Sequence, residues 1–537
     1  MAASSKPTDE SFHPYDALPN HQDFDRMISN AVDTRTDFYD PGLTSRRYAL
    51  VGVACSTIFS CSCIVAGIIT LADYGVLGVT NVFVTSTTDY VAYPIQMPLQ
   101  GELLVLVLNL IITLCTESLG SIHGISLRSA LASESRLRFN TNLRLLTATR
   151  GWYKPNGTLL NGIWAVLLII CYSSTSFIAC PSFQTTLQTV DKGVAFAGLP
   201  VLVLGVALLL QVMIALLGMR CVKILTWSSS PFDLTAALLH HTQLTPTTLR
   251  CMRSVSNPDK YGGPAKPSKI QSSAWHAHPS VQKVVVFLWV IVAACAGWAA
   301  LVMYIWDKLQ HSDTQIMNAF GSALTLQTWS FFPNEQSSYI RYMSSGIFLF
   351  SWVNMAIIQA PLTLGLHCSE LIANVIRDER QWRFATGRKG LQTVTNPMKA
   401  IFTHPICLIL FVAKPFLHWI FGLAFNLSAT AVDGRLMIFM ASMYTGQIWN
   451  LCIALFIFSC FFTFVALRRP RGPQPAAYGH LQTLANLVDE WSPVMWWGHK
   501  EDGIPYCHAG TSDHPLSDVK MDCVYAGCGA GSLVPLS

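Results

Sequence analysis

The sequence predicts an all-α, polytopic membrane protein of about eight transmembrane helices, followed by a small cytosolic C-terminal module. Three observations carry that prediction. Eight apolar stretches recur along the 537 residues, each close to the ~20 residues that cross a hydrocarbon core at about 1.5 Å per residue. Lysines and arginines fall almost wholly in alternate loops. The composition, 51% hydrophobic and 12% charged with a mean hydropathy of +0.40, departs from that of soluble domains.

The stretches are Tyr48–Leu71, Leu103–His123, Gly162–Cys180, Val194–Met219, Val284–Trp306, Gly346–Cys368, His404–Asn426 and Ile448–Leu467. Backbone polar groups in lipid must pair internally, which leaves helices or a closed barrel, and runs this long without alternation are helices. Ile316–Phe332 is apolar enough for a re-entrant or surface helix. Residues 436–447 suit a longer eighth span or an interfacial turn. A count of seven or nine therefore stays open. By inspection the spans show no internal repeat of the kind found in many transporters.

Around the spans, the chain divides into a polar arm, 1–45, a membrane domain, 46–467, and a tail, 468–537. The arm is rich in Asp, Pro, Ser and Asn without periodicity, and reads as disordered. It has no apolar h-region, so the first span is expected to act as an uncleaved signal. Thr80–Thr85 and Tyr90–Tyr93 in the first outer loop suggest a short hairpin. Leu127–Arg150 reads either as an amphipathic surface helix or as an extension of the second span. Residues 227–282, with Gly262-Gly263-Pro264, read as a flexible loop.

Charge sets the direction. Arg46 and Arg47, the cluster Arg128 to Lys154, Arg220 to Lys283, Arg377 to Lys399 and Arg468 to Arg471 share one side, leaving Lys192, Lys308, Arg341 and Arg435 on the other. The positive-inside rule then places both termini in the cytosol. The net charge of +5 points to anionic lipid rather than to nucleic acid. Nothing in the pattern names the plasma membrane or an endomembrane.

Polar groups within the spans are the candidates for chemistry, because burying them in lipid is costly. Lys414 lies mid-span beside Pro415, with His418 one turn on, and Glu117 lies in the second span with Asn109 two turns before it. A Lys414–Glu117 pair matches in sign and depth. It serves either an ion, proton or solute pathway or a plain interhelical clamp. Asn354 and Gln359 read as interhelical hydrogen-bonding groups, and Gly198, Gly205 and Gly218 as close-packing positions.

Most of the sixteen cysteines lie in the apolar spans and read as small hydrophobes. In the tail, Cys507, His508, Cys523 and Cys528 are weak metal candidates with His499 upstream, since their spacing lacks a CxxC knuckle. His240-His241 and His276/His278 read as solvated loop residues. No nucleotide, zinc-protease or serine-hydrolase motif is present, and no cofactor is implied. Of two glycosylation sequons, Asn426 is a possible acceptor at the membrane edge, and Asn156 falls on the cytosolic side, where modification is not expected.

Behind Arg468, Leu481, Leu484, Leu487, Val488 and Trp491 fall at helical spacing and suggest a docking helix. This region, with Gly479-His480-Leu481-Gln482-Thr483-Leu484, Asp489-Glu490-Trp491, Trp496-Trp497-Gly498-His499-Lys500 and His508-Ala509-Gly510-Thr511-Ser512, resembles the C-terminal signature of uncharacterised multi-pass membrane proteins of filamentous fungi. The resemblance implies a fungal source and a membrane protein, and carries over no catalytic or binding residue. With no catalytic constellation, the expected role is a membrane scaffold or accessory component of a fungal biosynthetic or surface pathway, capturing a cytosolic partner through residues 473–537. The alternative is a transporter or channel for an ion or small solute using the Glu117/Lys414 region. An enzyme using loop or tail histidines comes third.

Overall fold

The computed structural model describes residues 39–74, 85–87, 99–141, 145, 147–185, 190–247, 249–256, 263–310, 339–344, 348–393, 404–432, 435–503 and 506–526. Eight of its helices are long and apolar enough to cross a membrane. They are α1 (Leu43–Tyr74), α2 (Leu99–Ser133), α3 (Thr158–Ile178), α4 (Gly198–Arg220), α7 (Pro279–Gln310), α8 (Phe348–Cys368), α10 (Pro405–Ala424) and α11 (Thr445–Leu467), with the short α5 (Pro231–His240) and α6 (Ala274–Ala277) between α4 and α7. The chain is an all-α, multi-pass membrane protein. Exposed large side chains such as Val51, Ile58, Val290, Ile357 and Phe464 face outward from these helices, as lipid contact requires.

The connections at one end of the spans build a six-stranded sheet. Its strands are β1 (Thr85–Thr87), β2 (Ala179–Thr185), β3 (Val190–Phe196), β4 (Tyr339–Ser344), β6 (Phe425–Val432) and β7 (Arg435–Tyr444), in the order β1-β3-β2-β6-β7-β4. Strand follows helix without a break: α3 ends at Ile178 and β2 begins at Ala179, and α10 ends at Ala424 and β6 begins at Phe425. Residues 436–447, expected to lengthen the eighth span or form a turn, are instead mostly β7, paired with β6 and β4. Their apolar run disguised a strand, because period alone does not separate short buried strands from helix.

The order of elements exposes a repeat that inspection of the sequence missed. In α1–β1–α2–α3–β2–β3–α4 the inner strand β3 pairs with both β1 and β2, and in α7–β4–α8–α10–β6–β7–α11 β7 pairs with both β4 and β6. The halves join through β2 and β6, which run parallel, so both halves point the same way. Helix packing follows suit. α1 lies on α4 as α7 lies on α11, and the halves meet through α2 on α10 and α3 on α8. Small residues allow the closest of these contacts. A Cβ on Gly205 would come within 2.8 Å of Ser60 O, and one on Gly67 within 2.7 Å of Leu202 N. Ser60 Oγ donates to Gly205 O at 2.7 Å.

On the opposite face, where the basic loops gather, α2 continues past the apolar stretch to Ser133 and then breaks into turns. The surface-helix reading of Leu127–Arg150 therefore fails beyond Ser133. The 227–282 segment is more ordered than expected, since it holds α5 and α6, and His278 is buried rather than solvated. After α8, Ser369 N–H and Oγ both bond Gly365 O, and a nearly continuous α9 (Glu370–Arg383) carries the chain over this face.

The tail docks on α9. Glu379 accepts from Ala477 and Tyr478 N–H at 2.9 Å each, Trp382 Nε1 donates to Pro475 O at 2.8 Å, and Tyr478 Oη donates to Ser272 O at 2.9 Å. Gly479 must be glycine, since its φ is +71° and a Cβ would lie 2.6 Å from Asp378 Oδ2. The tail helix α12 (Leu481–Leu487) stops short of Val488 and Trp491. Trp496 and Trp497 lie in strand β8 (Val494–Glu501), which pairs with β5 (Leu391–Gln392) and β9 (His508–Ser512). Trp497 is buried against Trp382, in an apolar cluster that the tail forms with α5 and α9. The arm before residue 39, most of the expected hairpin at 80–93, Ile316–Phe332 and Cys528 lie outside the described residues.

Two histidines make this docking sensitive to acid. Phe139 lies between the rings of His278 and His480, at 4.2 and 4.8 Å. Burial, with the neighbouring His480, pushes His278 down to about 4. Burial, with Arg138 nearby, pushes His480 down to about 4. Between about 6.5 and 4 the unfolded chain binds protons that the folded one refuses, so stability falls as pH drops through that window. Thermal unfolding of the purified protein should shift to lower temperature between pH 7 and pH 5, and less so in His480→Asn. A pH-independent wild type would contradict this.

Candidate functional site

The spans place a cluster of ionisable groups between the two halves. Lys414, on α10 and 1% exposed, donates to Glu117 of α2 and, at 2.5 Å, to Glu370 at the start of α9. His367, in the last turn of α8, lies with Nδ1 2.9 Å from Glu370 Oε1, 3.4 Å from Lys414 Nζ and 3.6 Å from Glu117 Oε1. Pro415 beside Lys414 lies inside α10, where a missing N–H frees a carbonyl one turn back. Donor atoms of Glu117, His367 and Glu370 lie within 4.8 Å of one another, a spacing that suits a metal ion. Here the Lys414 ammonium bonds both carboxylates, so the chain supplies its own cation at that position.

Towards the sheet, the cluster continues as a stacked pair. Tyr172 of α3 and His418 of α10 lie 3.8 Å apart with rings inclined by 12°. Each sits six residues before the last residue of its helix, so they occupy equivalent places in the two halves. Gln359 Nε2 donates to His418 Nδ1 at 3.0 Å, and Tyr172 Oη lies 3.1 Å from Thr113 Oγ1 and 3.4 Å from Thr116 Oγ1. Trp352 Nε1 donates to Ser173 Oγ at 3.3 Å, a further link between the halves.

Towards the basic loops, a cavity of about 440 Å³ leads to the cluster. Glu117, Glu370 and Lys414 line it, as do Arg128 and Arg377, and apolar side chains such as Leu114, Leu410 and Phe411 complete its wall. Arg377 pairs directly with the buried Asp378, and Arg128 reaches it through Asn140. Arg377 Nη2 lies 3.1 Å from Asp378 Oδ1, Asn140 Nδ2 donates to Asp378 Oδ2 at 2.9 Å, and Arg128 Nη1 donates to Asn140 Oδ1 at 2.5 Å. The cavity thus carries guanidinium groups and carboxylates, with one lysine held between two of the latter. Such a space can take a small polar solute out of water without stranding a charge.

The expected Lys414–Glu117 pair is present, and His418 and Gln359 bond each other next to it. Asn109 is not drawn in: its Nδ2 bonds Val105 O one turn back in α2. Asn354 is half-buried and outside the cluster. Sequence reasoning missed His367, Glu370 and Tyr172. The His367/Glu370 spacing of i, i+3 across the end of an apolar run was the available signal. In the tail, Cys507 and Cys523 come together with Asp502, whereas His508 turns away to Asp489, with Nε2 2.8 Å from Oδ2. Burial alone would raise Asp489. The bond from His508, helped by Thr511 N–H and Lys500, holds its carboxyl well below the usual range. Asn156 is buried and bonded to Ser126 and Gly218, and Asn426 is 9% exposed within β6.

No family model, curated protein or solved structure matches the chain.

The His418–Gln359 bond sits where no water competes. Gln359→Leu orphans a buried ring nitrogen and should cost about 1–3 kcal/mol, read as a lower unfolding temperature in detergent. Adding His418→Leu removes the orphan and should recover most of the loss. A single variant as stable as wild type would contradict the bonded arrangement.

Proposed function

We propose that the protein is a transporter for a small polar or charged solute, which enters the cavity and is handed between the two halves at the Lys414 cluster. The carrying observation is that a buried lysine bridges two carboxylates, one from each half, at the end of a cavity lined by further charged groups. A clamp alone needs one pair and no cavity. In the unloaded protein Lys414 bonds both Glu117 and Glu370 and offsets one of their two charges, which lowers the cost of moving them through a low-dielectric interior. A solute bearing a cationic group, or protons, can take over that task and release the lysine. Two like halves around a shared polar centre suit a rocking motion that exposes the centre to either side. The excess of Lys and Arg in the loops at the cavity's open end supports a cytosolic position for that end and for both termini. The resemblance of the tail to membrane proteins of filamentous fungi fits a fungal pathway.

A scaffold or accessory role draws less support. The apolar face of α12, the element expected to capture a partner, packs against α5 and its own module, so it is spent within the chain.

Ser121 is exposed and lines the cavity without touching the cluster, so Ser121→Trp should plug it and leave the fold intact. Untargeted metabolite profiles of cells and medium should change on deletion of the protein. The tryptophan variant, expressed at the wild-type level, should reproduce the deletion profile. A variant that restores the wild-type profile, or a deletion that leaves all small solutes unchanged, would overturn the transport reading.

A further inference from the structure

The tail gathers a set of donors that the cavity and its ion cluster do not use. β8 carries His499 and the turn after it Asp502. Cys507 precedes β9, and the chain beyond β9 returns to lay Cys523 alongside. Backbone bonds fix that return. Cys507 N–H donates to Val524 O at 2.9 Å, Ala526 N–H to Cys507 O at 3.1 Å, and His499 N–H to Ser517 O at 2.9 Å. Donor atoms of Asp502, Cys507 and Cys523 all lie within 4.8 Å of one another. Cys507 Sγ is 3.7 Å from Asp502 Oδ1, and His499 Nε2 is 3.2 Å from the same oxygen.

Those separations have a chemical meaning. A tetrahedral zinc ion with Zn–S of about 2.3 Å and Zn–O and Zn–N of about 2.0 Å has S···O edges of about 3.5 Å and N···O edges of about 3.3 Å. The observed distances are close to both. His499 lies outside the group of three that share the 4.8 Å spacing, but it reaches Asp502 and is oriented as a ligand would be. Its Nδ1 lies 2.9 Å from the hydroxyl of the buried Tyr525, an oxygen that accepts from Lys520 N–H and has a second lone pair for Nδ1–H. A ligating histidine is held in this way, its outer nitrogen donating to a fixed acceptor while the other faces the metal. Lys520 Nζ lies 2.6 Å from both Asp502 oxygens, so the carboxylate already holds a cation. With zinc bound, the lysine can keep one oxygen and offset the surplus negative charge.

We propose that Asp502, Cys507 and Cys523 form a structural zinc site, with His499 closing in from beside Asp502 as the fourth ligand. Binding would release one proton from each thiol, forming two Zn–S bonds with no change of oxidation state. The ion would pin the β8–β9 hairpin to the returning chain and so hold together the module that docks on α9. The spacing of the cysteines lacks a knuckle because the fold, rather than a short loop, brings the ligands together.

The full-length protein, purified under reducing conditions, loaded with zinc and desalted, should carry about one zinc per chain by elemental mass spectrometry. Cobalt in its place should give thiolate charge-transfer bands and the visible bands of a tetrahedral ion. Asp502 and Cys523 are on or near the surface, so Asp502→Asn and Cys523→Ser should fold, and each should weaken zinc binding about tenfold or more. Three results would overturn the proposal: a full-length protein that retains no zinc, zinc retained undiminished by Cys507→Ser/Cys523→Ser, or an intact mass showing the two thiols joined as a disulfide.

Discussion

The structure depends on how Lys414 is kept charged within the span region. An ammonium or a carboxylate alone in a low-dielectric interior costs several kcal/mol even after relaxation. Lys414, Glu117 and Glu370 meet that constraint together, and they can do so only if α2, α9 and α10 approach one another. The pairing therefore selects the packing of one half of the molecule on the other. It also explains why the cluster sits where it does. Glu117 and Tyr172 come from α2 and α3, and His367, Lys414 and His418 from α8 and α10, the corresponding helices of the two halves.

The sheet and the tail hold this arrangement from either end. Each half sends one strand straight out of a helix, β2 from α3 and β6 from α10, and the parallel β2–β6 pairing joins the halves at the centre of the sheet. Strands satisfy their backbone groups only against neighbours, so they belong beyond the hydrocarbon, where the six-stranded order leaves β1 and β4 at the edges. At the other end, Glu379 and Trp382 of α9 fasten the tail, and α9 also carries Glu370 into the cluster. The docking of the tail and the position of a cluster carboxylate are thus properties of one helix.

Much of this was legible in the sequence, for reasons that also mark where reading stops. Spans are announced by hydropathy, and all eight appear within a few residues of the expected stretches, except α2, which runs on to Ser133. Lys414 and Glu117 could be paired on sign and depth alone, because so few charges enter the apolar runs. Glu370 could not, since it follows the apolar stretch and reads as part of the loop that begins at Ser369. Tyr172 hides in an ordinary polar run, and only the repeated helix–strand–strand–helix order shows that it faces His418. β7 was lost because Arg435–Tyr444 is as apolar as a helix. The grouping of Cys507 and Cys523 with Asp502 depends on backbone pairing across the tail, which no local spacing encodes.

The central claim is that an ion pair across the two halves holds the span region together. A double-mutant cycle on Glu117→Gln and Lys414→Met, read as unfolding free energy in detergent, tests it most directly. The two changes should be strongly non-additive, with a coupling above about 1 kcal/mol, because Lys414→Met strands two carboxylates while Glu117 is present and only Glu370 once Gln replaces it. Losses that add to within about 0.5 kcal/mol would mean that the two residues do not sense each other, and would contradict the account.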